Sequence, residues 1–144
     1  MRSRTRNVLI GIVAVAVLLL ALGAVPGLLK TGDPYYVTAT PVGSWDGPNA
    51  TVGDNATAVN ASSLAELRYP YSQEALGNVA GNESGQSEPY WRGPFGFKES
   101  FTHSPFDEMT ALTENNPQAN AAEGGVYIHD NRTVYLLTVT QERQ

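Results

Sequence analysis

Residues 126–140 have the sequence VYIHDNRTVYLLTVT, in which two runs of β-branched and aromatic residues flank Asp130-Asn131. Asparagine and aspartate tolerate the positive φ angles of tight turns, so the pattern predicts strands 126–129 and 132–140 joined by a two-residue turn. Pairing across that turn places five apolar side chains on one face: Val126, Ile128, Tyr135, Leu137 and Val139. That face needs a covering layer, so the rest of the fold is expected to pack against it.

A helix is predicted immediately upstream of the hairpin. It begins at Ser104-Pro105, where serine suits the capping position and proline the first helical position, and Asp107 with Glu108 complements the positive end of the helix. Asn115-Asn116-Pro117 ends it. Phe106, Met109 and Leu112 recur at helical spacing, and we expect them to form its buried stripe.

Three weaker elements are predicted further upstream. Residues 35–40 (YYVTAT) are typical of a strand. Ser63 with Glu66 matches a capping box for one short helical turn that Pro70 stops, and Ser72 is expected to cap a second helix over residues 73–80. Residues 41–61 are dense in Gly, Asn, Asp and Ala, and we expect a flexible loop there.

These elements predict an α+β fold for the part of the chain that follows residue 30. A small antiparallel sheet, made of the C-terminal hairpin and the strand over 35–40, would pack two or three short helices on one face. About 110 residues suffice for one modest hydrophobic core.

The N-terminal part of the chain has a different character. Residues 8–29 form an unbroken apolar run, preceded by Arg2, Arg4 and Arg6 and followed by Lys30. Twenty-two residues span roughly 33 Å as a helix, enough to cross a bilayer core of about 30 Å. The arginines predict a cytoplasmic N-terminus at 1–7, a transmembrane signal anchor at 8–29 and an exterior domain at 30–144, located at the cell membrane.

A cleaved signal peptide is the main alternative for this run. Ala21-Leu22-Gly23 or Leu22-Gly23-Ala24 could be the small-residue cleavage site, but the apolar run is longer than the 7–15 residues usual for a signal peptide. Pro26 could end the helix early, and the remaining 18 residues would still span about 27 Å.

Five Asn-x-Ser/Thr sequons lie in the predicted exterior domain, at Asn49, Asn55, Asn60, Asn82 and Asn131. Such sequons accept N-linked glycans in the surface loops of exported proteins. Their number fits an exterior location, although a chain rich in Asn, Ser and Thr also produces sequons by composition alone.

The charge of the exterior part excludes one class of partner. All 14 acidic residues follow residue 30, where only five basic residues balance them, which leaves a formal charge of −9. Nucleic-acid binding draws on basic residues that neutralise phosphates, so no nucleic-acid partner is expected. The chain has no cysteine, which removes disulfides and thiolate metal ligands from consideration.

Six of the thirteen aromatic residues fall within residues 90–106 (YWRGPFGFKESFTHSPF). This segment resembles part of small membrane-anchored haloarchaeal proteins that have no assigned activity, and the acid-rich, lysine-poor composition is also typical of halophiles. The resemblance covers about residues 35–140 and implies a habitat and a class, not a chemistry. Because Trp and Arg are enriched at binding hot spots, the segment supplies these partner-binding candidates: Trp91, Arg92, Phe95, Phe97 and His103. Alternatively, its rings fill the core and Arg92 pairs with an acid.

Chemical motifs are sparse. His103, Asp107 and a more distant His129 could ligate a metal, although Asp107 also suits helix capping. Ser100 or Ser104 beside His103 could suggest a hydrolase, but the chain has no Gly-x-Ser-x-Gly elbow. Glycine-rich phosphate loops are also absent from the sequence. No catalytic residue, metal site or cofactor is therefore predicted.

The function expected from the sequence is a non-catalytic, single-pass, membrane-anchored exterior module that binds a protein or cell-envelope partner and contacts lipid through residues 8–29. Two alternatives remain open. One is an accessory subunit whose helix packs into a membrane complex, using small residues such as Gly11 and Ala14. The other is an exported metal-dependent or hydrolytic enzyme that uses His103 with Asp107 or Glu108.

Overall fold

The computed structural model describes residues 3–28, 32–53, 55–93 and 102–141. The fold is mixed α+β, with an N-terminal apolar helix followed by a small domain. In chain order, the helices and strands are α1 (Ser3–Leu28), β1 (Tyr36–Ser44), β2 (Val59–Asn60), α2 (Pro70–Gly77), β3 (Gly85–Gln86), α3 (Pro105–Asn115), β4 (Val126–Asp130) and β5 (Thr133–Thr140). Two short 3-10 turns cover Ala61–Ser63 and Pro117–Ala119.

Helix α1 is long and apolar enough to cross a membrane, and a signal sequence near an N-terminus would meet the same criterion. Every residue from 3 to 23 is exposed, so this part of the helix is not covered by the part of the domain that the structure describes. Pro26 falls inside the helix rather than ending it. The predicted end of the span at Leu29, and Lys30 beyond it, lie outside the described residues.

The sheet has five strands in the order β2-β4-β5-β1-β3. The long pair at its centre joins β1 to β5, running from Tyr36 opposite Thr140 to Ser44 opposite Thr133. β4 and β5 form the predicted hairpin, and β3 adds an antiparallel edge beside Thr38 and Ala39. The predicted strands, β1, β4 and β5, pair antiparallel, and β2 adds a parallel edge beside β4, so the complete sheet is mixed.

The predicted apolar face of the hairpin is the main core surface. Val126, Ile128 and Leu137 are fully buried, and they pack with Val37 and Ala39 of β1. Ala75 of α2 and Leu112 of α3 belong to the same buried cluster, so both helices cover this face. The domain therefore completes its core without α1.

Two predicted boundaries shift because strand pairing is stronger than the local turn signal. Asp130 pairs with Thr133, so the hairpin turn is Asn131-Arg132, one residue later than predicted, with Asn131 at a φ of 53°. The loop predicted over 41–61 is shorter at both ends, because β1 continues to Ser44 and β2 occupies residues 59 and 60.

The second predicted helix begins three residues early. Pro70 does not stop a helical turn; it occupies the first turn of α2, where a missing N–H is harmless. Ser72, the expected cap, is therefore inside α2 and fully buried. Ser63 is likewise not a helix cap: it ends a 3-10 turn that Asn60 caps, and its hydroxyl donates to the Asn60 carbonyl at 2.6 Å.

The start of α3 is confirmed in detail. The Ser104 hydroxyl accepts from the Asp107 backbone N–H, and the Asp107 carboxylate accepts in return from the Ser104 N–H, which forms a capping box. Of the predicted stripe, Leu112 is buried while Phe106 and Met109 are half-buried. The buried acidic residue on this helix, Glu108, was not expected, and it organises the site described next.

Candidate functional site

Glu108 of α3 joins the two domain helices. Its side chain is buried, and its carboxylate accepts hydrogen bonds from the Tyr71 and Ser72 backbone N–H groups at 2.9 and 2.8 Å and from the Ser72 hydroxyl at 2.6 Å. These N–H groups belong to the first turn of α2, where no side chain of the preceding residue caps the helix. A carboxylate at this position satisfies orphan donors and complements the positive end of the helix dipole. Glu108 is thus the cap of α2, supplied from another helix.

His103 is the fourth partner of this carboxylate. Its Nε2 lies 2.9 Å from Glu108 Oε1, and its side chain is 44% exposed, so it covers the buried acid from the solvent side. The ring also stacks on Tyr71, with 6.1 Å between the centroids and 18° between the planes. His103 therefore lies between the buried Glu108 and the surface.

A row of aromatic rings continues from His103 through the junction of the helices. Tyr71 meets Tyr90 edge to face at a centroid distance of 6.1 Å, and Tyr90 meets Phe106 at 6.3 Å. Phe106 also contacts Tyr35, just before β1, at 4.8 Å. These separations lie in the range where aromatic pairs attract each other beyond their buried area. The row fixes the segment around Tyr90 against both α3 and the start of the sheet.

Arg92 closes the far end of this row. Its guanidinium lies 4.3 Å from the Phe106 ring centroid and 5.1 Å from that of Tyr35, within the range of cation–π attraction. The side chain remains exposed, while the neighbouring Trp91 is half-buried. Arg92 therefore has a packing role in the domain, whether or not it also contacts a partner.

Three exposed side chains beside this junction form one surface, which we call the helix-junction surface: Leu67, Arg68 and His103. Leu67 is 98% exposed, and Leu67, Arg68 and His103 help to line a shallow pocket of about 300 Å³ beside Glu108. Arg68 makes no ion pair with any described residue. An exposed leucine next to an uncommitted arginine offers both an apolar contact and a charge to an incoming molecule.

The sequence-predicted candidates are only partly brought together. His103 and Arg92 lie at opposite ends of the aromatic row, and Trp91 is adjacent to Arg92. Phe95 and Phe97 lie outside the described residues, as do Ser100 and Phe101. Tyr71 and Tyr90, which connect the ends of the row, were missed because their only sequence signal was their aromatic character.

The hypothetical metal site does not form in the part of the chain that the structure describes. Asp107 is occupied by the capping box, and His103 contacts Glu108 instead. His129 stacks on Trp45 at 4.3 Å, and burial lowers its pKa. Within residues 3–28, 32–53, 55–93 and 102–141, no three His, Asp or Glu side chains are grouped as ligands.

Hydrogen bonding also constrains the serine hypothesis. The Ser104 hydroxyl donates to Asp107 at 2.9 Å and accepts from the backbone N–H of that residue. The Ser72 hydroxyl donates to Glu108. The Ser72 and Ser104 hydroxyls are therefore both committed to helix caps.

A second concave feature lies on the opposite side of α2, at the β3 edge of the sheet. It is an open cleft of about 480 Å³ lined mainly by polar groups, among them Glu74, Glu88, Asn78 and Gln86. Two of the residues that line it form hydrogen bonds with the backbone around β3: Glu74 accepts from the Glu88 backbone N–H at 3.0 Å, and Asn78 donates to the Gln86 carbonyl at 2.8 Å. These two hydrogen bonds help to hold β3 against α2.

Comparisons of the chain with models of protein families, with curated proteins and with solved structures found no match. The function therefore has to be inferred from the residues themselves.

Tyr71 makes the junction sensitive to alkaline pH. Burial, together with the negative charges of Glu88, Glu108 and Glu74 and the neighbouring Tyr90, raises the pKa of Tyr71 to about 12 from its ordinary 10.0. Because folding raises this pKa, the protonated Tyr71 hydroxyl contributes to the free energy of unfolding below pH 10. That contribution is lost as the pH rises from 10 to about 12. We expect the thermal midpoint to fall in this window, and Tyr71→Phe to remove part of the fall while leaving the profile below pH 9 unchanged. An identical alkaline profile in the variant would contradict this assignment.

Proposed function

We propose that this protein is a non-catalytic membrane-anchored module whose domain lies outside the cell and binds a protein or cell-envelope partner through the helix-junction surface. The observation that carries the proposal is the contrast between an exposed apolar helix and a domain that buries its own core. Residues 3–23 of α1 are entirely exposed, whereas the domain buries its own apolar face against its own helices. An apolar helix that the described part of the domain does not cover is suited to lipid.

The orientation follows from charge. Arg2, Arg4 and Arg6 precede the apolar run that starts at Val8 and favour a cytoplasmic N-terminus. The strongly acidic remainder then faces the exterior. The composition also supports a salt-rich setting, because salt screens the repulsion among like charges.

The hydrogen bonds that Glu108 forms with α2 and with His103 favour binding over catalysis. A general base needs a free lone pair within reach of a substrate proton. Glu108 instead receives three donors from α2 as well as the His103 contact, so its oxygens are used within the fold. The groups left available at the surface are Leu67, Arg68 and the exposed part of His103, which suit contact with a partner.

The first test concerns topology. Protease added to intact cells should remove the domain and leave α1 in the membrane, while cytoplasmic marker proteins stay intact. Full protection of the domain in cells whose known exterior proteins are cleaved would overturn the orientation. A shortened, soluble chain in the medium would instead identify α1 as a cleaved signal peptide.

The second test concerns the surface. A photo-cross-linking residue at position 67, in the full chain in native membranes, should give a cross-linked product that Arg68→Glu weakens at least about tenfold, equivalent to about 1.4 kcal/mol. Position 42 is the matched control, since Val42 is also an exposed apolar residue but lies on β1. Equal products from both positions would show that the contact is not specific to the helix-junction surface. Loss of the product on exchanging α1 for an unrelated apolar helix would favour the accessory-subunit alternative.

A further inference from the structure

The five sequon asparagines share a property that three of the other four described asparagines of the domain lack and that Asn115 also has. All five are exposed, and none donates a hydrogen bond from its side-chain Nδ2 to any described residue. By contrast, Asn78, Asn116 and Asn120 each donate Nδ2 to a backbone carbonyl, at 2.8, 3.0 and 3.3 Å respectively. Nδ2 is the atom that carries an N-linked glycan. The fold thus uses the Nδ2 atoms of these three non-sequon asparagines and leaves the sequon Nδ2 atoms free.

The five sequons differ in whether the hydroxyl of their serine or threonine bonds to another part of the domain. In the Asn82 sequon, the Ser84 hydroxyl bonds the Thr40 hydroxyl of β1 at 3.1 Å, and Ser84 is half-buried. In the Asn55 sequon, the Thr57 hydroxyl donates to the Gln118 carbonyl at 3.4 Å, and the Thr57 backbone N–H donates to the same atom at 2.9 Å. Both hydroxyls are tied to distant parts of the domain. An enzyme that must contact the amide and the hydroxyl together would have to break these ties.

The remaining three sequons have no such tie. The side-chain hydrogen bonds of Asn60 stay inside its own sequon: Oδ1 accepts from the Ser62 N–H at 3.0 Å and from the Ser62 hydroxyl at 2.7 Å, and Nδ2 donates to no described residue. Asn131 lies at the exposed hairpin turn with a φ of 53°. Asn49 and Thr51 are both exposed in the segment that follows β1.

These three sequons also lie toward one end of the sheet. Asn60 pairs with His129, two residues from Asn131, and the Trp45 N–H donates to the Arg132 carbonyl at 2.7 Å, which ties the segment leading to Asn49 to the same turn. β1 begins next to the anchor and reaches this end after nine residues, roughly 30 Å at about 3.3 Å per residue. Arg92 stacks on Tyr35, so it lies at the opposite end of β1 from these sequons.

We propose that Asn49, Asn60 and Asn131 carry N-linked oligosaccharides, and that Asn55 and Asn82 do not. The donor would be an oligosaccharide linked through its anomeric carbon to a lipid phosphate. In the transfer, the bond from that carbon to the phosphate oxygen breaks, and the lipid phosphate leaves with the bonding electron pair. A bond from Nδ2 to the anomeric carbon forms, and Nδ2 loses one hydrogen as a proton. The inference rests on the exterior placement of the domain in the proposed function.

The test uses the full chain purified from the membranes of its source cells. Peptide mass spectrometry should find glycan-bearing peptides at Asn49, Asn60 and Asn131, and unmodified peptides at Asn55 and Asn82. Asn131→Gln and Thr133→Val should each lower the intact mass by one glycan, whereas Thr133→Ser keeps the sequon and should retain it. Asn78→Gln, outside any sequon, is the control and should leave the glycan content unchanged.

The outcomes separate this inference from the proposed function. Unmodified sequons on a domain that exterior protease removes would overturn the glycan assignment alone. Unmodified sequons on a domain that exterior protease spares would overturn both. Glycans on Asn55 or Asn82 would contradict the role given to the Ser84 and Thr57 hydroxyl contacts.

Discussion

Glu108→Ala is expected to destabilise the domain by about 3–5 kcal/mol, because a buried acceptor of several hydrogen bonds disappears and its donors remain buried. The Tyr71 and Ser72 N–H groups and the Ser72 hydroxyl would lose their shared partner, and α2 would lose its cap. At about 4 °C or more per kcal/mol for a domain of this size, the thermal midpoint should fall by at least about 12 °C.

Two further variants make this test specific. Glu108→Gln keeps one oxygen but turns an NH₂ group toward the donors of α2, so we expect a smaller loss of about 1–3 kcal/mol. Glu114→Ala removes an exposed acid from the same helix and should change stability by less than about 0.5 kcal/mol. Urea unfolding of the full chain in detergent, followed by near-ultraviolet circular dichroism, measures all three. Equal effects at positions 108 and 114 would show that Glu108 does not connect the helices.

Gly85→Ala should be comparably damaging for a steric reason. A Cβ at this position would lie 2.2 Å from the Ala75 carbonyl oxygen and 2.5 Å from the Val79 backbone nitrogen, and these are backbone atoms that a rotamer change cannot move aside. β3 would have to separate from the end of α2. We expect a loss of at least about 3 kcal/mol, at or above the usual range for overpacking.

Gly77→Ala is the matched control for this substitution. Gly77 ends α2, and an added Cβ there meets no atom within 4 Å. Alanine has a higher helix propensity and a less flexible unfolded chain, so this variant should be neutral or more stable by up to about 1 kcal/mol. If Gly85→Ala and Gly77→Ala gave the same melting curve, the close contact between β3 and α2 would be refuted.

The elements that could be predicted from the sequence are those whose determinants are local. α3 was placed correctly because serine, proline and two acids at its start act within one turn. The hairpin followed from alternation and from a turn residue that accepts a positive φ. β2 and β3 were missed because two residues carry no periodicity, and each is a strand only through its partner.

The sequence predicted some residues of the site, such as His103, but not which residues contact one another there. His103 was identified as a candidate together with Asp107 or Glu108, and the choice between these acids depends on α2, which begins more than thirty residues earlier. Ser72 resembled a helix cap because serine before an apolar stripe usually is one. It is buried instead, because Glu108 supplies the cap from α3. Such contacts between distant segments leave no local pattern in the sequence.

The pairing of β1 with β5 has a consequence for the order in which the molecule is made. Thr38 and Thr140 share a hydrogen bond across 102 residues, and β1 needs β5 along its whole length. The ribosome completes β1 long before β5 exists, so the central pair of the sheet cannot form until β5 has emerged. Non-local pairing also slows folding. Synthesis therefore leaves an interval in which the chain that follows α1 still lacks its central strand pair, which is compatible with the passage across a membrane that the proposed exterior placement requires.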